Sequence, residues 1–196
     1  MKKNIKVLHI IASLGNGGAE RQLIEVLKYN RNHSVLLLNS ADVYKETLDK
    51  LKIKYWEMGA KNKFQIFFKI FFFRDVINKY KPDIIQAWMY NACLFSVCCK
   101  LIRIYKKPLI WNIRCSNMIP KYYSISLRLV IHACAVFSKN VEKIIYNSFA
   151  GKTYHIKIGF SKKSGKVIYN GVDSKKFNSS MLHRNNLRKK YNIAKN

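Results

Sequence analysis

Val7-Leu8-His9-Ile10-Ile11-Ala12-Ser13-Leu14-Gly15-Asn16-Gly17-Gly18-Ala19-Glu20-Arg21 is the stretch on which the fold turns. Its opening belongs to a strand read from Lys6 to Ala12, continuously apolar, as strands buried on both faces of a parallel sheet are. Asn16-Gly17-Gly18 breaks that run. A helix from about Ala19 to Tyr29 follows, with Ala19, Leu23, Val26 and Leu27 on one face. Strand, glycine turn and helix are the first half of a βαβ crossover. The lysines before the run and the Ala-Ser after it superficially resemble a signal peptide. The run is short and β-branched, however, and leads straight into the glycine turn, which favours a buried strand.

The same alternation continues to the end. His33 to Leu38 reads as a second strand, Val43 to Leu51 as a short helix and Ile53 to Met58 as a third strand. Phe64 to Tyr80 is a long apolar helix that Lys81-Pro82 stops. Asp83 to Trp88, Pro108 to Ile113, Lys143 to Asn147 and Lys166 to Tyr169 read as strands four to seven. Helices from Asn91 to Tyr105, Ser124 to Ser138 and Phe149 to Ile158 lie between them. Strands alternating with helices of this length predict an α/β fold with a doubly wound, Rossmann-like parallel sheet of six or seven strands. Val7–Ile11, Ile84–Gln86, Ile110–Asn112 and Ile144–Tyr146 should be adjacent at its centre. Ligands of such sheets bind at the carboxyl ends of the strands. From Ser174 the chain turns polar and basic, and a helix from about Met181 to Tyr191 has no further strand to join.

The chain has 196 residues, 49% of them hydrophobic, enough for one sizeable core. Its formal net charge is +27. Such an excess fits an anionic partner, whether lipid surface, nucleic acid or phosphorylated substrate. A proteome that places Lys wherever a polar surface residue is needed would give it too. Cys93, Cys98, Cys99, Cys115 and Cys134 form no CxxC pair and no metal-ligand spacing with His, which fits a reducing cytoplasm. Cys98 and Cys99 read as small core residues. No stretch reaches the ~18 apolar residues of a spanning helix.

Glycines after the first strand let a ligand approach the backbone, and the free N–H groups of the next helix attract phosphate. The loop is not the dinucleotide fingerprint, because Glu20 stands where its third glycine belongs. A plain tight turn is the alternative. His9 and His132 read as core histidines and His155 as a structural one. Ser148 reads as an N-cap rather than a nucleophile, since it lacks the G-x-S-x-G elbow. Trp88, Tyr90 and Asn91, at a strand's carboxyl end, line a ligand cleft or simply pack. Lys61, Lys63, Lys69, Arg74, Lys79 and Lys81 flank or interrupt Phe64, Phe67, Phe68, Phe71, Phe72 and Phe73. That mixture describes an interfacial helix, a core helix, or one helix doing both.

Five elements in order resemble the N-terminal domain of family 4 glycosyltransferases. They are Val7-Leu8-His9-Ile10 running to Gly17-Gly18-Ala19-Glu20-Arg21, Lys81-Pro82-Asp83-Ile84-Ile85-Gln86-Ala87-Trp88-Met89-Tyr90, Ile110-Trp111-Asn112-Ile113-Arg114, Ile144-Ile145-Tyr146-Asn147-Ser148 with His155 and Gly159, and Val167-Ile168-Tyr169-Asn170-Gly171-Val172-Asp173 with Phe177. The resemblance implies the GT-B architecture, two facing Rossmann-like domains with a cleft between them. It implies transfer of sugar from a nucleotide-sugar with retention of anomeric configuration. No metal or other cofactor is implied, and the chain has no Asp-x-Asp pair to hold one. Gly17 and Gly18 inherit a place beside the donor diphosphate. Relatives often carry His at the end of the fifth strand. This chain has Arg114, which can clamp phosphate or sugar hydroxyls but cannot act as a base at neutral pH.

The expectation is therefore an acceptor-side domain over residues 1–173, followed at 174–196 by a hinge, with Asn170, Gly171 and Asp173, and a truncated start of the second domain. That second domain would carry a Glu, seven residues, Glu element for the nucleotide-sugar; without it the chain should be inactive. Arg114 is the candidate catalytic residue, and Trp88, Tyr90, Asn91, Arg114 and Ser148 the acceptor cleft. The partners would be a nucleotide-sugar donor, a lipid-linked or saccharide acceptor and an anionic membrane surface. The setting would be bacterial surface polysaccharide or lipopolysaccharide synthesis, in the cytoplasm at the inner face of the cell membrane. One rival is a nicotinamide-dependent oxidoreductase domain, for which Asn39 and Asp42 are poorly placed ribose partners. Another is a non-catalytic basic module; no nucleic-acid reader motif is present, so nucleic acid is not an expected partner. A third is a decayed, inactive remnant.

Overall fold

A computed structural model describes residues 5–30, 32–60, 65, 68–174, 177 and 179–194. The strands are β1 Val7–Ile11, β2 His33–Leu37, β3 Tyr55–Glu57, β4 Ile84–Trp88, β5 Leu109–Ile113, β6 Lys143–Tyr146 and β7 Gly165–Val167. The helices are α1 Gly18–Tyr29, α2 Lys45–Lys50, α3 Ile70–Tyr80, α4 Met89–Leu101, α5 Ile125–Phe137, α6 Phe149–Lys157 and α7 Met181–Lys190. All seven strands form one sheet in the order β3-β2-β1-β4-β5-β6-β7, and every pairing is parallel. This is the Rossmann-like winding: the chain runs outward from β1 to β3, returns to the centre at β4 and runs outward the other way. Val7 pairs with both His33 and Ile84, so β1 is an interior strand, next to the central strand β4.

Alternation along the strands divides the core into two layers. Leu8, Ile10, Ile85, Ala87, Trp111, Ile113, Ile144 and Tyr146 face α3, α4, α5 and α6. Ile11, Val35, Leu37 and Trp88 face α1 and α2, through Leu23, Ile24, Leu27 and Leu48. Each fully buried Leu or Ile contributes ~2 kcal/mol of transfer free energy. α7 buries none of its residues.

Several boundaries shift for identifiable reasons. α4 begins at Met89, directly on β4, instead of at Asn91. Met89 makes the turn alone, with φ +63, a left-handed conformation costing an L residue on the order of 1–3 kcal/mol. α3 ends at Lys81, whose φ of +53 gives the left-handed stop that the following proline allows. In the basic-aromatic segment, Phe73, Val76 and Ile77 are buried while Phe68, Phe71 and Phe72 are exposed; Lys61, Lys63, Phe64 and Phe67 lie outside the described residues. Cys99 is buried but Cys98 is exposed, so only Cys99 is the small core residue expected of both. His132 is exposed as well, so the expectation of a core histidine fails there. Among the described residues no helix is long and apolar enough to cross a membrane.

Candidate functional site at the carboxyl edge of the sheet

The connection after β1 passes to one face of the sheet and the connection after β4 to the other. The crevice where they part is the expected ligand position of a doubly wound sheet. Leu14 anchors the β1 loop: its side chain is fully buried and its N–H donates to the Ser40 carbonyl at 3.2 Å. Gly17 is the N-cap of α1, with φ −92 and ψ 163, and no side chain caps the first turn. Neither Gly17 nor Gly18 has a positive φ, so no left-handed backbone requires a glycine at either position. Gly18 has no atom within 4 Å of where a Cβ would lie, leaving open space beside its backbone. A Cβ on Gly17 would meet the Glu20 carboxylate, which folds back over the positive end of the α1 dipole. An anion arriving there must displace that carboxylate or share the site with it.

Trp88 and Tyr90 both lie at the end of β4, but they point to opposite faces. Trp88 is buried on the α1 side, where its indole N–H donates to His9 Nδ1 at 3.1 Å. That bond fixes the His9 tautomer: Nε2 carries the proton and faces His33 Nδ1 at 2.9 Å. Burial holds the His9 pKa well below its ordinary value, with His33 adding to the effect, and burial lowers His33 too. Both imidazoles are thus kept neutral. Tyr90 is turned into the other core layer, its hydroxyl 2.7 Å from His155 Nε2, while His155 Nδ1–H donates to the Gly151 carbonyl at 2.7 Å. Tyr90 therefore does not line the crevice. With no loop between β4 and α4, residue 90 is already a core-facing helical position. Asn91, one residue on, is exposed.

Arg114 follows β5 and stacks on the Trp88 ring, its guanidinium carbon 5.4 Å from the ring centroid. One terminal nitrogen donates to the Ile168 carbonyl at 3.2 Å and to Asn170 Oδ1 at 2.8 Å. The guanidinium is thus engaged in holding the 168–170 segment down on the sheet edge, and burial lowers its pKa from the ordinary value. Its Nε, Asn112 Oδ1 and Asn147 Oδ1 are buried without hydrogen-bond partners, three polar atoms at the carboxyl ends of β5 and β6. Ser148 caps α6 by accepting from the Gly151 N–H at 3.0 Å, and its hydroxyl lies 3.4 Å from that of Ser116. A Cβ at Gly151 would lie 3.0 Å from the Cys115 carbonyl, so a side chain there would have to push that backbone aside.

The 168–177 segment is held at a second place. The Gln22 side-chain amide donates to the Gly171 carbonyl at 3.1 Å, and its oxygen accepts the Gly171 N–H at 3.2 Å. Arg21 lies over the Phe177 ring at 5.1 Å, and the Asp173 carbonyl accepts the Phe177 N–H at 2.9 Å. Arg21 and Gln22 carry no signal of this role in the sequence, because their partners lie about 150 positions further on. Gly17, Gly18, Trp88, Arg114, Asn170 and Gly171 thus gather along one edge, whereas Tyr90 does not join them. Their chemistry is that of an anion- and hydroxyl-binding surface, helix N–H groups, a guanidinium and carboxamides, with the Glu20 carboxylate as the acidic group beside Gly17. Among the described residues no group of three His, Cys, Asp or Glu could hold a metal ion.

Solved structures with this fold include the Anabaena protein HepE in complex with UDP, at 22% identity and a TM-score of 0.76 over 98% of this chain and 51% of that one. A glycosyltransferase from Rickettsia africae is 21% identical, with a TM-score of 0.68 over 98% and 51%. The lipopolysaccharide outer core galactosyltransferase WaaB is 16% identical, with a TM-score of 0.64 over 86% and 46%. The chain spans about half the length of these proteins. Comparison with curated protein sequences gives no match. Residues 16–176, which include the glycine loop, the sheet edge and the 168–173 segment, match Glycosyltransferase Family 4, and the chain belongs to that family as the N-terminal half of its GT-B fold.

Proposed function

We propose that this chain is the acceptor-side half of a retaining, nucleotide-sugar-dependent glycosyltransferase of bacterial surface polysaccharide synthesis. The observation that carries the reading is the carboxyl edge of the sheet, where the α1 N-terminus has open space at Gly18 and Arg114 stacks on Trp88 at the end of the neighbouring β4. Gly17 and Gly18 receive the donor diphosphate. Backbone N–H groups at a helix N-terminus stabilise the charge that grows on a departing diphosphate without metal help. The Anabaena relative was crystallised with UDP and with UDP-glucose, which makes a uridine-diphosphate sugar the first donor to try.

Asn91, Ser148, Arg114 stacked on the buried Trp88, and the polar atoms of Asn112 and Asn147 bound the acceptor side; Trp88 itself supports Arg114 from the core rather than lining the cleft. Arg114 is a clamp rather than a base: it connects this wall to Asn170, so a movement of the hinge is felt at the site. Residues 1–173 act as the domain, Asn170, Gly171 and Asp173 as the hinge, and 174–196 as the entry to a second domain that completes the donor site. The acceptor is lipid-linked, and the reaction takes place in the cytoplasm at the inner face of the membrane.

Near-attack geometry needs both walls of the cleft, and misplacement by ~1 Å can cost ~100-fold. Radiolabelled UDP-sugars should therefore show no turnover with the 196-residue chain alone. Fusion to, or addition of, a family 4 second domain should restore transfer. Robust transfer by the chain alone would contradict the two-walled site.

A further inference from the structure

The groove between α5 and α6 forms an open pocket of about 170 Å³, lined by Met118, Tyr123, Arg128, Ile131, His132 and Tyr154 among others. Arg128 and His132 are one turn apart and share a helix face, so both bring N–H donors to one pocket. Tyr154 braces the opposite wall, its hydroxyl donating to the Met118 carbonyl at 2.6 Å. No carboxylate lines it.

An apolar rim surrounds this polar pocket. On α5, Ile125 is 72%, Leu129 65% and Val136 58% exposed, and in the preceding loop Tyr122 is 68% and Ile119 45% exposed. One helix thus carries a stripe of aliphatic side chains in water beside two cationic or donor groups, with Lys121 and Lys139 exposed at its two ends. Contiguous exposed apolar area of this kind marks an interaction surface. Charge selects the occupant: between residues 84 and 172 Glu142 is the only carboxylate, and Lys100 sits on it at 2.6 Å.

We propose that this face docks on an anionic membrane surface, with a lipid headgroup phosphate in the Arg128–His132 pocket and Ile125, Leu129 and Tyr122 in the acyl boundary. Apolar insertion beside basic residues is how interfacial helices bind. The loop that carries Met118 and Tyr123 begins at Arg114, so the same short segment joins the membrane pocket to the crevice. The biological use of the surface rests on the reading of the acceptor as membrane-borne, while its binding to lipid is measured without any transfer reaction. The surface differs from the basic-aromatic face of α3, which is the alternative position for membrane contact.

Sedimentation of the 196-residue chain with phosphatidylcholine vesicles, and with vesicles that also contain phosphatidylglycerol, tests the proposal. Binding is expected to the anionic vesicles only and to weaken with salt. Ile125→Asp/Leu129→Asp should reduce it by roughly tenfold or more, as should Arg128→Glu. All three positions are exposed, and an unchanged circular dichroism spectrum and melt would show the variants folded. Phe71→Asp/Phe72→Asp on α3 should retain binding. Inorganic phosphate at matched ionic strength should displace the protein only weakly. Equal binding to both vesicle types, loss of binding only in the α3 variant, or full displacement by inorganic phosphate with no effect of the α5 aspartates would each overturn the assignment.

Discussion

The two halves of the sheet, β1–β3 and β4–β7, share a winding but differ in charge. From residue 5 to 60 eight Lys and Arg accompany six Asp and Glu, and Glu25 and Glu46 pair with Lys28 and Lys50. From 84 to 172 fourteen Lys and Arg accompany Glu142 alone. A proteome-wide habit of using lysine would raise the charge of both halves alike. Fourteen basic residues against one acidic residue give this half +13 of the net charge of +27, on the same half of the sheet as the exposed Ile125, Leu129 and Val136 of α5.

The cores differ as well. The β4–β7 half rests on large side chains such as Trp111 and Tyr146, whereas the β1–β3 half is closed by leucines of α1 and α2. Trp111→Ala should be the most damaging single change, costing ~3–5 kcal/mol. Leu48→Ala, in the first half, should cost ~2–3 kcal/mol, toward the lower end for such changes because the short α2 can settle into the space. Urea denaturation followed by fluorescence and by circular dichroism would check both. The β1–β4 seam joins the halves through continuous parallel pairing, so one coincident transition is expected; two separated transitions would break the picture of a single cooperative unit.

Acid separates the halves more gently. His9 is held neutral in the first half by burial and by its neighbour His33. His155 is also lowered by burial, but its bond to the Gly151 carbonyl works against that shift. A group whose folded pKa lies below its unfolded value binds more protons when unfolded. Its contribution is therefore intact above about pH 6.5 and is lost as pH falls below it, by up to ~1.4 kcal/mol per pH unit. The urea midpoint should fall from pH 7 to pH 5, with a clearly shallower fall in His9→Gln than in His155→Gln. Equal slopes for wild type and His9→Gln would remove His9 as the main acid-sensitive group.

The smallest effects lie at the surface ties. Gln22→Ala loses both bonds to Gly171, which are solvent-exposed, and should cost about 1 kcal/mol or less of global stability. It should nonetheless speed proteolytic cleavage near residues 168–174, because two of the contacts that hold this segment vanish. Lys28→Ala, which breaks only an exposed i,i+3 pair, should cost ~0.2–0.5 kcal/mol and leave proteolysis unchanged.

Strand order was readable because burial on both faces leaves continuous apolar runs, and Val7–Ile11, Ile84–Gln86, Ile110–Asn112 and Ile144–Tyr146 are neighbours as their patterns require. The family match was readable for a related reason: its motifs sit at strand ends that the same alternation locates. Side-chain direction was not. Tyr90 and His132 depend on the phase with which α4 and α5 begin, and Met89 sets that phase for α4 by a left-handed turn that composition does not announce. The pairing of Gln22 with Gly171 spans 149 positions and has no local trace. The distinction between a charge excess spread evenly and one heavier in β4–β7 than in β1–β3 was present in the residue order, but it gained meaning only beside the exposed stripe of α5.

The most direct test of the account concerns Gly18. In a chain completed by a second domain, transfer from a UDP-sugar should fall by ~100-fold or more in Gly18→Val, because the side chain would occupy the space left for the diphosphate. The melting temperature should stay within a few degrees of wild type, since nothing lies within 4 Å of the new Cβ and the backbone there is not left-handed. Near-normal transfer by Gly18→Val would take the donor diphosphate away from the α1 N-terminus and contradict the placement of the site at the β1–β4 crevice.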